Sequence, residues 1–81
     1  MGERVGGHVL NNHVFGKRLT AARVLAEYSV PDLAKAVTEA GVYTSPDMIW
    51  AYERGDRYPS VPQLDIIMRL IGVTFDYFDE D

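Results

Sequence analysis

Three serine-led helix starts, each closed by a glycine, divide most of this chain into short helices before any hydrophobic pattern is considered. A serine hydroxyl accepts a hydrogen bond from the unpartnered N–H groups of a first helical turn, and glycine takes the left-handed conformation that ends one. Ser29 stands three residues before Asp32, with Pro31 in the first turn. Ser45 is followed by Pro46 and Asp47, which suit the first helical position and the positive end of the helix dipole. Ser60 precedes Gln63 by three residues, the spacing of a capping box. The stops are Gly41, Gly55 and Gly72. Helix 2 is therefore expected from about Val30 to Ala40, helix 3 up to Gly55 and helix 4 up to Gly72.

Apolar spacing supplies the inner faces of these helices and adds one before them. Phe15, Leu19, Ala22 and Ala26 recur at helical intervals and predict helix 1, with Lys17 and Arg18 beside the stripe in water. Leu33, Ala34 and Val37 line helix 2, Ile49 and Tyr52 helix 3, and Leu64, Ile67, Met68 and Ile71 helix 4. A last turn is expected from Thr74 through Phe78. No strand alternation or repeat is present, so the predicted class is all-α with five short helices. Residues 1–12 read as a flexible arm because three glycines interrupt any helical period; 13–78 form the domain, and 79–81 an acidic tail that reads as a natural terminus.

At 81 residues the chain holds one small core, and without cysteine it has neither disulfides nor a thiolate zinc site. His8 and His13 lack a carboxylate at ligand spacing, so no metal is expected. No nucleophile triad, paired carboxylates or phosphate-cradling glycine loop appears; the remaining glycines read as caps or arm residues. The expectation is a protein that is not an enzyme and takes no cofactor. Its apolar runs are too short to span a membrane and it begins without a basic-then-apolar leader, which predicts a cytoplasmic protein.

The net charge of −4 argues at first against nucleic acid, but the charge is unevenly placed. Residues 1–28 carry four basic and two acidic groups, whereas residues 59–81 carry one and five. Asp76, Asp79, Glu80 and Asp81 account for the whole excess, so the body is formally neutral and has room for a basic patch.

Helix 2, the link Gly41-Val42-Tyr43-Thr44 and helix 3 form two helices joined by a glycine-containing turn. The longer string resembles the Cro and phage-repressor (XRE) helix-turn-helix family. The matching residues, in order, are Arg23, Leu33-Ala34, Ser45, Glu53-Arg54-Gly55, Arg57, Pro59-Ser60 and Leu64 through Val73. The resemblance covers about residues 15–78 and implies a lambda-repressor-like domain. Between Ala34 and Glu53 the chain is about five residues longer than the family's usual spacing, and the extra length is assigned to helix 2 and the turn around Thr38 to Tyr43.

Carried onto these positions, the resemblance implies base contacts from Thr44, Ser45, Pro46, Asp47, Met48, Trp50 and Ala51. The set lacks the Arg, Gln and Asn that make bidentate base contacts. Hydroxyls of Thr44 and Ser45 suit phosphates or bases, Met48 or Ala51 a thymine methyl, and Asp47 a cytosine amine or only the helix dipole. Lys17, Arg18, Arg54, Arg57 and Tyr58 form the phosphate set. Arg23 and Glu53 are implied to be a structural ion pair between helix 1 and the end of helix 3. Trp50 is read either as an exposed partner surface or as packed back on helix 2 and the turn. Phe75 and Phe78 are expected to cap the core, with Tyr77 outward; these three aromatics are the dimer candidates. The implied function is a sequence-specific transcriptional regulator, Cro-like and of phage or prophage type, a homodimer with helix 3 in the major groove of a double-stranded operator. The alternative is a protein-interaction module of the same fold, an antirepressor or antitoxin-type partner.

Overall fold

A computed structural model describes residues 12–79, which form four α-helices and a short 3-10 turn, with no strand among them. The helices are α1 (Asn12–Leu25), α2 (Val30–Glu39), α3 (Pro46–Arg54) and α4 (Val61–Ile71). The fifth predicted helix is only the 3-10 turn Phe75–Phe78. Asn12 opens α1 rather than closing an arm; the rest of the predicted arm, and Glu80 and Asp81 of the tail, lie outside the described residues.

Each serine caps as its chemistry demands. The hydroxyls of Ser29, Ser45 and Ser60 accept from the N–H groups of Asp32, Met48 and Gln63 at 3.1, 3.1 and 3.3 Å. The reciprocal half of the box differs from expectation. At Ser45 the Met48 thioether accepts the serine N–H at 3.4 Å, while the Gln63 side chain leaves Ser60 and turns inward.

Phe15 and Leu19 of α1, Leu33 and Val37 of α2, Ile49 of α3, Ile67 of α4 and Phe78 of the final turn are completely buried in one cluster. Removing side chains of this size from water contributes about 1.5–3 kcal/mol each. The Phe15 ring centroid lies 4.7 Å from those of both Phe78 and Tyr58.

Two places depart from the glycine logic. Gly16 is neither a cap nor an arm residue: it lies inside α1 where α3 crosses, and a Cβ there would stand 2.3 Å from the carbonyl oxygen of Glu53. Only a residue without a side chain lets the two helices approach so closely. At the end of α1, by contrast, the left-handed position is filled by Glu27, at φ 65°. The N–H of Tyr28 then returns to the Arg23 carbonyl at 3.1 Å, closing the helix without the usual glycine.

Candidate nucleic-acid interface

The geometry of α3 follows from what holds its inner side. Ile49 and Tyr52 face the core, and the close approach at Gly16 sets α1 against its C-terminal half. Arg23 of α1 closes on Glu53 through two bonds, Nε to Oε2 at 2.6 Å and a terminal nitrogen to Oε1 at 3.1 Å. Its other terminal nitrogen donates to the Tyr28 carbonyl at 2.9 Å. The side chains of the pair are only 13% and 10% exposed, so this fork is protected from water as well as bidentate.

With that side occupied, α3 presents Asp47, Trp50 and Arg54 outward, positions one and two turns apart along one stripe. Trp50 is 44% exposed. Tyr43, in the link residues 40–45, is 72% exposed at the same end of the helix. Sequence reasoning passed over Tyr43 as part of a longer link; its signal is an aromatic with no apolar partner at helical spacing. Ser45 and Pro46 are partly exposed beside it, the Ser45 hydroxyl already accepting the cap bond.

Three of the expected base-contact residues do not present their side chains outward. Thr44 is buried: its hydroxyl donates to the Val42 carbonyl at 3.0 Å and accepts from Gln63 at 2.8 Å. Ala51 is also buried, because it falls on the packed side of α3. Met48 is half-buried against the core with its sulfur turned to the Ser45 N–H.

The phosphate candidates divide as well. Lys17 and Arg57 are exposed, and neither has a partner among the described residues. Arg54 is exposed and shares a surface bond of 2.9 Å with Asp56, a contact of little energetic weight. Tyr58 lies half against Phe15, and burial pushes its phenol above the usual value, leaving it a neutral donor at neutral pH. Arg18 is engaged elsewhere. It donates at 2.9 Å to the carbonyls of both Tyr77 and Asp79, while the Tyr77 hydroxyl donates back to the Arg18 carbonyl at 2.8 Å.

That exchange reverses the expected roles at the C-terminal turn. Tyr77 is drawn along α1 by its hydroxyl and packs edge-on against Phe78, with ring centroids 5.0 Å apart. Phe78 is fully buried and Phe75, expected inside, is 48% exposed. Of the three dimer candidates, Phe75 is the one left facing outward. Among the described residues no three His, Asp or Glu side chains gather as a metal site, and no helix is long and apolar enough to cross a membrane.

No family model and no curated protein matches the chain. It shares its fold with a gene regulator. The crystal structure of the clp gene regulator ClgR from C. glutamicum matches at a TM-score of 0.72, covering 91% of this chain and 90% of that one, with 21% sequence identity. The agreement across nearly the full length of both chains is one of fold.

Proposed function

We propose that this chain is a sequence-specific DNA-binding transcriptional regulator with a lambda-repressor-like helix-turn-helix, α2 crossing the backbone and α3 entering the major groove. The observation that carries the reading is the division of α3 into a tightly held inner side and an outward stripe of Asp47, Trp50 and Arg54. Likeness in fold to a gene regulator supports it. The start of α1 abuts the end of α3, since a Cβ on Gly55 would meet His13 at 3.0 Å and one on Gly16 would meet the Glu53 backbone, which sets Lys17, next to Gly16, on the side of Arg54. Lys17, Arg54 and Arg57 take the phosphates there. Asp47 accepts from an exocyclic base amine, and Trp50 supplies apolar contact.

A single module of this size reads few base pairs, so it acts as a homodimer on a two-fold site, with Phe75 at the contact between copies. The Cro-like, phage or prophage assignment rests on the motif resemblance. Selection of binding duplexes from a random library at low salt tests the function: one enriched, two-fold related sequence is the expected result. Arg57→Ala should weaken enriched and random duplexes alike and reduce the salt slope by about one. Retention of no duplex overturns the DNA reading and favours the protein-interaction module, for which the exposed Trp50 and Tyr43 are the specific motivation.

A further inference from the structure

The polar groups buried between α3, α4 and the link form one connected chain of bonds. Tyr52, 2% exposed, donates its hydroxyl to Gln63 Oε1 at 2.6 Å. Gln63, also 2% exposed, donates through Nε2 to the Thr44 hydroxyl at 2.8 Å, which donates onward to the Val42 carbonyl at 3.0 Å. Thr38, at the end of α2, bonds Thr44 twice: its hydroxyl accepts the Thr44 N–H at 2.8 Å and donates to the Thr44 carbonyl at 2.9 Å. One α4 side chain thus joins the C-terminal half of α3 to the link before it, and through Thr44 to α2.

Nothing about helix formation requires this. Gln63 gives its backbone N–H to the Ser60 cap, and an apolar side chain would fill the same interior without a polar atom to satisfy. Two residues beyond Thr44, α3 begins, so the torsion of the link decides the direction in which α3 leaves it. Apolar packing of Ile49 is non-directional and tolerates rotations of the helix, whereas a buried bond is confined in length and weakens steeply once its angle falls below about 120°. Leaving either end of the amide without a partner is costly in that interior, which makes one arrangement of link and helix preferred over its neighbours.

We infer that Gln63 is the positioning residue of α3: by holding Tyr52 and Thr44 together it fixes the angle of α3 to α2, and with it the placement of Asp47 and Trp50 on DNA. The inference rests on the DNA-binding reading, but its structural half can be tested without DNA. Gln63→Met keeps the length of the side chain and removes both bonds; Thr44→Val and Thr44→Ser remove and keep the hydroxyl respectively.

The first measurement is amide hydrogen exchange. Exchange at the Thr44 N–H should rise about tenfold in Gln63→Met and Thr44→Val, while Thr44→Ser and the amides in the middle of α4 keep wild-type rates. The second is the ratio of affinity for the duplex enriched by wild-type protein to that for random duplex, at a temperature where circular dichroism shows each variant folded. The ratio should fall about tenfold in Gln63→Met and be retained in Thr44→Ser, with random-duplex binding changed less than twofold. If Gln63→Met fails to fold, Tyr52→Phe, which deletes one hydroxyl, should show both effects in reduced form. Unchanged exchange, or equal loss on both duplexes, overturns the positioning role while leaving the DNA reading intact. Absence of any enriched duplex overturns the DNA reading; the exchange rates then decide the lock alone.

Discussion

The inner and outer sides of α3 are built from opposite materials. On the inner side, backbone meets backbone at Gly16, a bidentate ion pair is largely shielded from water, and a buried amide bonds two hydroxyls. On the outer side, an indole, a carboxylate and a guanidinium are exposed along one stripe, and a phenol stands exposed at the helix's entrance. The inner side fixes position through groups that are expensive to move, and the outer side leaves side chains available to another molecule.

Substitutions on the inner side separate the strength of these constraints. Gly16→Ala drives a Cβ into the Glu53 backbone, which cannot give way as a flexible side chain would. Its cost should exceed about 3 kcal/mol, measured by denaturant unfolding. Tolerance of alanine there would show that α1 and α3 are not in close contact. Glu53→Ala leaves the Arg23 guanidinium, 13% exposed, without its carboxylate and should cost about 3 kcal/mol. An unchanged melting temperature would make the pair incidental. Glu27→Gly should act in the other direction. Relieving a left-handed glutamate at the end of α1 should add about 1 kcal/mol, or roughly 5 °C in melting temperature, without altering DNA binding.

What the sequence made legible was the local chemistry. Ser29, Ser45 and Ser60 announce their helices because capping depends on neighbours only two or three residues away, and the inward spacing of Leu33, Ile49 and Ile67 depends only on helical period. Gly16 was misread because its reason lies on another helix; in sequence it looks like part of a glycine-rich start. The end of α1 carries no such signal, because a glutamate holds the left-handed position that glycine usually marks. Phe75 and Phe78 share an i, i+3 spacing that suggests a common face, but the Tyr77 hydroxyl and the Arg18 guanidinium fix the turn so that only Phe78 enters the core. At the candidate site period leaves Trp50 open between an exposed surface and packing on α2 and the link; with Ile49 and Tyr52 inside, it stands 44% exposed. The burial of Thr44 is not legible, because a hydroxyl in a link looks available until Gln63 is seen bonding it.

Trp50 is the protein's one tryptophan, so its emission reports on the outer side of α3 and on no other surface. Titrating the protein with the duplex enriched from a random library, at low salt, tests the division between the two sides most directly. The expected result is a saturable change in Trp50 emission that is lost as salt rises, with binding weakened by Trp50→Ala while the melting temperature of the free protein stays within about 3 °C of wild type. Duplex binding that leaves Trp50 emission unchanged, or a Trp50→Ala protein that binds as tightly as wild type, would contradict it.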